Sequence, residues 1–352
     1  MMIKTDNRYS QATMITSLTD EERRMGLFNR RKRAVNRATI QLDPFDYDPD
    51  APWLYEAMEK GDWKEARDFL HSLDDFDKRG FYVSLCAEVS GLQDWIQEWI
   101  DAEPRSTLPL LVRGAHAVHW AWEARGGAVA SQTSDEQFRV FRRRLKLAED
   151  CLDEVVARDP GDATAWSFLV MSARGRGVDR AEAQRRFDAA VRCDPENMLA
   201  HSQMQEYLTK KWHGSHEEMF DFARESIQSV PPGSALGVLM LDAHFEQLRS
   251  VPAEEQIAYF RTPRTLVEVK IGYDLSIGDP DYRPPWDWPI LHNKFLFFFA
   301  VAGQVHIAME QYEVIGKHVT RYPWNLLNSD DPVKAFVELR DNIEAHVSGE
   351  KS

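Results

Sequence analysis

Two histidines and a glutamate stand at helical spacing in the segment His116-Ala117-Val118-His119-Trp120-Ala121-Trp122-Glu123. On a helix, positions 116, 119 and 123 lie on one face, because residues three, four and seven apart stack above one another. Two imidazoles and a carboxylate on one face are a minimal ligand set for zinc or non-haem iron. We therefore treat His116, His119 and Glu123 as candidate metal ligands. The alternative is that both histidines are packed core residues, since the stronger HExxH motif is absent.

A second candidate site is the turn Trp212-His213-Gly214-Ser215-His216-Glu217-Glu218. Ser215 suits the N-cap of a following helix, both glutamates suit its positive end, and Gly214 permits a tight turn. This structural interpretation does not explain the two flanking histidines. We therefore keep Trp212, His213 and His216 as candidate binding residues, and the two histidines as further candidate metal ligands.

The elements that must position these residues repeat along the chain. Asp159-Pro160 recurs thirty-five residues later as Asp194-Pro195, and Val230-Pro231 follows after another thirty-six. Each dipeptide separates two amphipathic runs, because proline ends one helix and presets the start of the next. The runs before it are 148–157, 183–193 and 220–229, and those after it are 163–173, 198–208 and 236–248. A period near 34 residues is that of the tetratricopeptide helix pair.

Similar proline and glycine positions predict further helices outside this central region. They cover 53–59 with 66–73, 81–89 with 92–100, 308–322, and a capping helix at 330–347. Gly126, Gly127 and the stretch 131–134 predict a long loop between two longer helices. No segment alternates with period two, so no sheet is predicted. We predict an all-α, tetratricopeptide-like α-solenoid of about seven antiparallel helix pairs with a C-terminal capping helix.

Three segments follow from this organisation. Residues 1–40 form a basic N-terminal arm with a helix opening at Thr19, residues 41–52 an acidic proline-containing linker, and residues 53–347 the helical-repeat domain. The aromatic stretch Trp286-Asp287-Trp288-Pro289 lies in a predicted loop. It is either a lid or a docking surface or, as we favour, a plug that fills a gap where the stacking of repeats breaks.

Five histidines fall on the first helix of predicted pairs: His116, His119, His201, His244 and His292. Because the first helices of such pairs line a concave face, these side chains could share one groove. Trp122 lies on the same helix as the first two. Histidine suits proton transfer or metal binding near neutral pH. The ten candidate groove residues are therefore His116, His119, Trp122, Glu123, His201, Trp212, His213, His216, His244 and His292.

The formal net charge is −14, yet residues 1–37 carry nine basic and four acidic residues, so the body is strongly acidic. An acidic body disfavours nucleic acid and favours a cationic protein or peptide partner. The N-terminus has no apolar signal segment, and the longest apolar run, 295–302, is too short to span a membrane. Three cysteines without a CxxC motif favour a reducing cytoplasm. Phosphate-binding and acyl-transfer motifs are absent.

The segment Lys211-Trp212-His213-Gly214-Ser215-His216-Glu217-Glu218-Met219 resembles a signature of a bacterial family of unknown function. The stretches Arg113-Gly114-Ala115-His116 and Tyr322-Pro323-Trp324 fit the same resemblance, which covers roughly residues 50–325. That family implies no activity. The repeats also resemble tetratricopeptide proteins in general, and this resemblance implies binding of a peptide or protein in a concave groove.

Two functions are therefore expected from the sequence. The first is an interaction or scaffold module that binds a partner segment or small ligand in an acidic, aromatic-rich groove, which the basic arm could itself occupy. It requires no cofactor. The alternative is a metal-dependent enzyme or metal-binding protein that uses zinc or iron on His116, His119 and Glu123, with His213 and His216 as further ligands.

Overall fold

The computed structural model describes residues 40–45, 47–127, 132–285 and 287–350, with side chains up to residue 347. Within these ranges the chain is all-helical, with sixteen α-helices, three short 3₁₀ segments and no strand. The all-α prediction is confirmed. The predicted basic arm and its helix at Thr19 lie outside the described residues, except for Ile40. The described residues divide into two compact units, one of residues 48–230 and the other of residues 40–45, 47 and 231–350.

The unit of residues 48–230 contains ten helices joined mostly by short turns. They are α1 (Ala51–Lys60), α2 (Trp63–His71), α3 (Phe76–Ala87), α4 (Leu92–Ala102), α5 (Leu108–Arg125), α6 (Asp135–Arg158), α7 (Ala163–Arg176), α8 (Arg180–Cys193), α9 (Met198–Tyr207) and α10 (His216–Gln228). The first helix begins at Ala51 because Pro52 occupies its first turn, so the predicted linker ends earlier than expected.

The second unit contains six helices and three 3₁₀ segments. The helices are α11 (Val238–Leu248), α12 (Gln256–Phe260), α13 (Pro263–Asp274), α14 (Trp288–Ala302), α15 (Val305–Ile315) and α16 (Pro332–Glu350). The 3₁₀ segments are Ala235–Gly237, Ala253–Glu255 and Trp324–Leu326. The helix predicted at 308–322 instead ends at Ile315, because Gly316 adopts positive φ of 55° and turns the chain out of the helix.

The aspartate–proline turns end one helix and start the next by side-chain capping. The carboxylate of Asp162 accepts from the backbone N–H of Ala165 at 2.9 Å and so caps α7. Thirty-five residues later, the amide oxygen of Asn197 accepts from the N–H of Ala200 at 2.9 Å and caps α9. Each bond satisfies a backbone donor that the first helical turn leaves without a partner. The repeated turn therefore sets the positions of these two helices.

Helices α5 and α6 are the long pair that the sequence predicted on either side of the Gly126–Ser134 connection. They have 18 and 24 residues, and they pack closely along their length. Gly114 of α5 makes this possible, because a Cβ atom there would lie 2.7 Å from Cγ of Leu152 on α6. Real carbon–carbon contacts lie near 3.5–4.0 Å, so a Cβ atom at this position would force Leu152 or the helices to shift.

The N-terminal end of α3 reaches helices that are distant in sequence. The Arg79 guanidinium donates to the Asp162 carboxylate at 2.9 Å, and Asp162 is fully buried at the start of α7. The carboxylate of Asp77 accepts from the backbone N–H of Met198 at 3.1 Å, at the start of α9. The N-terminal ends of α3, α7 and α9 are therefore held together by charge-assisted hydrogen bonds.

A buried ionic network joins α6, α7 and α8. The carboxylate of Glu149 accepts from Ser172 Oγ at 3.1 Å, from Arg176 Nε at 2.9 Å and from Arg186 Nη1 at 2.9 Å. Arg186 also donates to the Leu169 carbonyl oxygen at 2.9 Å. Both Glu149 and Arg186 are only 7% exposed. Burial of these charges is tolerated because each has several hydrogen-bond partners.

The second unit has an aromatic core built on α14. Phe295, Phe297, Phe298 and Phe299 are buried, and Phe297 packs edge-on against Trp324. The fully buried Asn293 accepts from the Trp324 indole N–H at 2.7 Å and donates to the carbonyl oxygens of Pro289 and His318. Trp288 and Pro289 belong to the first turn of α14, so half of the predicted aromatic loop is helical.

The capping helix predicted at 330–347 is present as α16. No helix in the described ranges is both long and apolar enough to cross a membrane. The three cysteines are free thiols; Cys86 and Cys151 are buried, and Cys193 is partly exposed.

Candidate functional site

A pocket of about 150 Å³ lies in the unit of residues 48–230, at the C-terminal end of α3. The last turn of α3 and the turn that follows it form one wall, and the C-terminal half of α5 forms the other. Its chemistry-bearing side chains are those of Glu88, Gln93, His116, His119, Trp120 and Glu123. We refer to it as the Glu88–Glu123 pocket.

Local backbone conformation brings the first wall into place. Helix α3 ends at Ala87, and Glu88 follows as its C-cap. Gly91 has φ of 82°, a left-handed conformation that lets the chain reverse and begin α4. The C-terminal end of a helix carries a partial negative charge. At the end of α3 this charge is partly offset, because the carbonyl oxygens of Leu85 and Cys86 accept from the N–H groups of Glu88 and Val89.

His116 connects the two walls. Its Nδ1 donates to the Ala87 carbonyl oxygen at 2.8 Å, and its Nε2 lies 2.9 Å from the side-chain Oε1 of Gln93. The ring is only 5% exposed, and this burial lowers the pKa of His116 below its ordinary value. In the neutral ring that this shift favours, Nδ1 carries the proton and Nε2 is an acceptor, so Nε2 pairs with the Gln93 side chain when that amide presents its N–H₂ group.

Trp120 presents an aromatic ring to the pocket, but that ring already has neighbours. The guanidinium carbon of Arg144 lies 3.5 Å from its centroid, and Arg144 Nη1 donates to the Trp120 carbonyl oxygen at 2.6 Å. The His116 ring stacks on Trp120 with a centroid distance of 6.1 Å. Arg144 comes from α6, so the packing of α5 against α6 fixes the orientation of the indole.

Glu88 and Glu123 give the pocket its negative charge. Glu88 is partly buried and Glu123 is exposed. Their field reaches Tyr55 on α1, where burial first, and then the charges of Glu59, Glu88 and Glu123, raise the pKa of the phenol. Three carboxylates therefore act on one neutral hydroxyl, while the guanidinium of Arg144 acts in the opposite sense on His116 and helps to lower its pKa.

The predicted metal set His116, His119 and Glu123 is brought to this one pocket. His119 is 8% exposed, and its ring lies edge-on to Phe168. However, both ring nitrogens of His116 already lie within hydrogen-bond distance of protein oxygens. Within the described ranges, no group of three or more His, Cys, Asp or Glu side chains is arranged to hold a metal ion. Zinc or iron at this position stays a prediction, and it would require His116 to give up one of its present contacts.

The turn of residues 211–218 has a structural explanation for most of its residues. Lys211 Nζ lies 2.9 Å from Glu206 Oε1, and the Trp212 indole N–H donates to the same oxygen at 3.3 Å. Ser215 caps α10 by accepting from the N–H of Glu218. A Cβ atom on Gly214 would lie 2.2 Å from the Leu208 carbonyl oxygen, so only glycine fits there.

The two histidines of this turn also have positions that the fold explains. His213 Nε2 lies 3.1 Å from the carbonyl oxygen of Arg174, and its ring stacks on Tyr207 at 4.6 Å. His213 therefore joins the turn to the end of α7. His216 is the first residue of α10. Neither histidine is among the residues that line the Glu88–Glu123 pocket.

Trp122 and Trp212 form a cluster with two arginines rather than part of the pocket lining. The indole rings meet edge-on at 5.6 Å. The Arg174 guanidinium lies 4.7 Å from the Trp122 ring and 5.2 Å from the Trp212 ring, and Arg125 lies within 5.7 Å of both. These contacts are cation–π interactions that join the C-terminal ends of α5 and α7 to the 211–218 turn.

The remaining candidate histidines are buried and hydrogen-bonded within their own units. His201 Nε2 donates to the Pro195 carbonyl oxygen at 3.0 Å, and its Nδ1 accepts from Ser226 Oγ at 3.1 Å. His292 Nδ1 donates to Gln311 Oε1 at 2.7 Å. Burial lowers the pKa of both rings, that of His201 to about 4. Both rings are packed core residues.

His244 lies in a small polar group of the second unit. Its Nδ1 is 2.7 Å from the Tyr259 hydroxyl, and its Nε2 is 3.2 Å from Glu268 Oε2. His244 is 2% exposed, so it too is a core side chain. Burial raises the pKa of Tyr259 to about 12.

Sequence reasoning missed Glu88 and Gln93, which lie at the end of α3 and in the first turn of α4. The sequence signal that could have indicated them is Gly91. A glycine between two amphipathic runs marks the chain reversal that brings α4 back towards α5. No protein-family model matches the chain, and no curated protein matches it.

Proposed function

We propose that this chain is a helical-repeat interaction protein that holds a cationic side chain of a partner segment in the Glu88–Glu123 pocket. One observation carries this function: two carboxylates and the C-terminal end of α3 surround a single concavity. Carboxylates and a helix C-terminus both favour positive charge. The acidic body of the chain would attract such a partner over longer distances.

The size of the pocket supports a side chain rather than a whole small molecule as the occupant. Its volume is about 150 Å³, whereas sites for drug-sized ligands run from roughly 300 to 1,000 Å³. One head group of a longer segment fits this space. The rest of the segment would then run over the exposed rim, where Ser90 and Glu123 lie.

We also propose that residues 48–230 form five antiparallel, tetratricopeptide-like helix pairs. The packing supports this arrangement, because α1, α3, α5, α7 and α9 contact one another in succession. Helices α1, α5, α7 and α9 also pack on the helix that follows each of them, whereas α4 packs on α5. The capping turns at Asp162 and Asn197 recur at the repeat period. Free thiols at all three cysteines support a cytosolic location.

The test is a titration of the full chain with acetyl-Gly-Lys-Gly-amide and acetyl-Gly-Arg-Gly-amide, followed by calorimetry and by NMR of the protein. We expect at least one peptide to bind, and Glu123→Gln to weaken that binding about tenfold, since a charged hydrogen-bond partner contributes on the order of 1.4 kcal/mol or more. Glu123 is exposed, so this substitution should leave the fold unchanged.

The matched control is Glu217→Gln, which changes an exposed glutamate outside the pocket. It removes one negative charge from the unit, as Glu123→Gln does. If both substitutions weaken binding equally, the long-range field of the acidic body is responsible and the pocket is not the site. If neither peptide binds the unmodified chain, the proposed function is wrong.

A further inference from the structure

We propose that the Glu88–Glu123 pocket selects the primary ammonium of a lysine over the guanidinium of an arginine. This inference rests on the proposed function and names the chemical class of its ligand. It follows from how the aromatic wall of the pocket is already used within the protein.

Arginine and lysine are recognised by different surfaces. A guanidinium is bound best where its plane stacks on an aromatic face while its fork meets a carboxylate. An ammonium is a compact point charge with three donors and needs no stacking surface. A site with an open indole face would therefore favour arginine, and a site without one loses that advantage.

In this pocket the indole of Trp120 is already stacked. The protein's own Arg144 lies 3.5 Å from its ring centroid, close to the shortest distance that such a contact allows, and His116 stacks on the same ring. The hydrogen bond from Arg144 to the Trp120 carbonyl oxygen fixes that arrangement. An incoming guanidinium would have to displace Arg144 in order to stack there.

The remaining polar groups suit a small cation. Glu88 and Glu123 come from opposite walls, and Glu88 lies at the C-terminal end of α3. An ammonium can point separate N–H donors to carboxylates on different helices. The small volume of the pocket also favours the narrower head group. A lysine of a partner segment is therefore the occupant that best fits the charge and the shape.

The experiment compares three peptides of the form acetyl-Gly-X-Gly-amide, where X is lysine, arginine or Nε-acetyl-lysine, against the full chain. We expect the lysine peptide to bind about tenfold more tightly than the arginine peptide, and the acetylated peptide, which has lost its charge, to show no binding. Free cadaverine, which has an ammonium but no peptide backbone, should bind more weakly than the lysine peptide.

A second variant tests the role of Arg144. Arg144→Gln removes the resident guanidinium and uncovers the Trp120 ring, so the arginine peptide should gain affinity relative to the lysine peptide. Circular dichroism of the variant checks that it folds. If the arginine peptide binds the unmodified chain as tightly as the lysine peptide does, lysine selectivity is wrong, but the proposed binding of a cation in the pocket still stands. If neither peptide binds, both the selectivity and the proposed function are wrong. Cadaverine that matches the lysine peptide would show that the site takes free diamines.

Discussion

Gly114 is the position where the close packing of α5 on α6 can be tested most directly. We consider Gly114→Ala, which adds one methyl group at the contact with Leu152. The new Cβ atom would lie 2.7 and 2.8 Å from Cγ and Cδ2 of Leu152, and 3.3 Å from the Ala148 carbonyl oxygen. Leu152 is fully buried, so it cannot swing into solvent to make room.

Two opposing effects set the magnitude. Replacing glycine by alanine inside a helix stabilises the protein by about 0.5–1 kcal/mol, because alanine loses less backbone entropy on folding. Overpacking a filled contact by one methyl group costs about 1–3 kcal/mol. The steric cost is the larger of the two, so we expect Gly114→Ala to lower the free energy of unfolding by roughly 1 kcal/mol.

Gly80 provides the matched control. It lies inside α3, and a Cβ atom there would meet no atom within 4 Å. Gly80→Ala should therefore show the entropic gain alone and raise the free energy of unfolding by about 0.5–1 kcal/mol. The measurement is urea unfolding of both variants, followed by far-ultraviolet circular dichroism. The difference between them isolates the steric cost, and we expect it to be about 1–3 kcal/mol.

The double variant Gly114→Ala with Leu152→Ala identifies the atom responsible. Leu152→Ala alone should cost about 2–5 kcal/mol through the cavity that it leaves, but the added methyl group should partly fill that cavity. The double variant should then be more stable than the sum of the two single changes predicts. If Gly114→Ala instead stabilises the protein as much as Gly80→Ala does, the reasoning about close helix packing is refuted.

Three further predictions concern buried polar groups. Glu149→Ala should lower the free energy of unfolding by about 3–5 kcal/mol, because two arginines each lose one partner. Glu154→Ala removes an exposed ion pair and should lower it by under about 1 kcal/mol in the same urea assay. Equal losses would contradict a buried network. Because the pKa of His201 is about 4 in the folded chain and about 6.5 when unfolded, the unfolded state binds the proton first as the pH falls, and stability should drop between pH 6.5 and 4. His201→Gln should remove about 2 kcal/mol of the difference in unfolding free energy between pH 7 and 5, and an unchanged difference would show that His201 does not titrate in this way. Asn293→Ala should cost on the order of 3 kcal/mol, since an indole N–H and two carbonyl oxygens lose their buried partner, and thermal unfolding that matches the unmodified chain would contradict that hydrogen-bond count.

The helix positions could be predicted from sequence because their signals are local. The Asp159-Pro160 and Asp194-Pro195 turns stand where one helix ends and a capping residue starts the next. The prediction failed at 308–322 for a local reason as well. The apolar residues continue beyond Ile315, although Gly316 ends the helix there. The spacing of apolar residues alone does not reveal that a single glycine ends a helix.

The site could be predicted only in part. The spacing of His116, His119 and Glu123 predicted one shared helix face, and all three residues line one pocket. Their partners were not predictable, because the carbonyl of Ala87 lies 29 residues before His116 and is reached only through packing of α3 on α5. The single-face pattern was compatible with metal ligands and with core histidines, and only tertiary contacts separate the two.

The bonds from the start of α3 to α7 and α9 have a consequence for how this unit unfolds. In a linear array each repeat contacts only its neighbours, so stability is shared pairwise and unfolding can begin at either end. Arg79 and Asp77 instead pair with residues 83 and 121 positions away, which links α3 directly to α7 and α9. Such long sequence separations slow folding, because more chain entropy is lost before the contacts form. They also mean that the intervening helices cannot melt one at a time, so residues 48–230 should behave as a single cooperative block rather than a fraying stack.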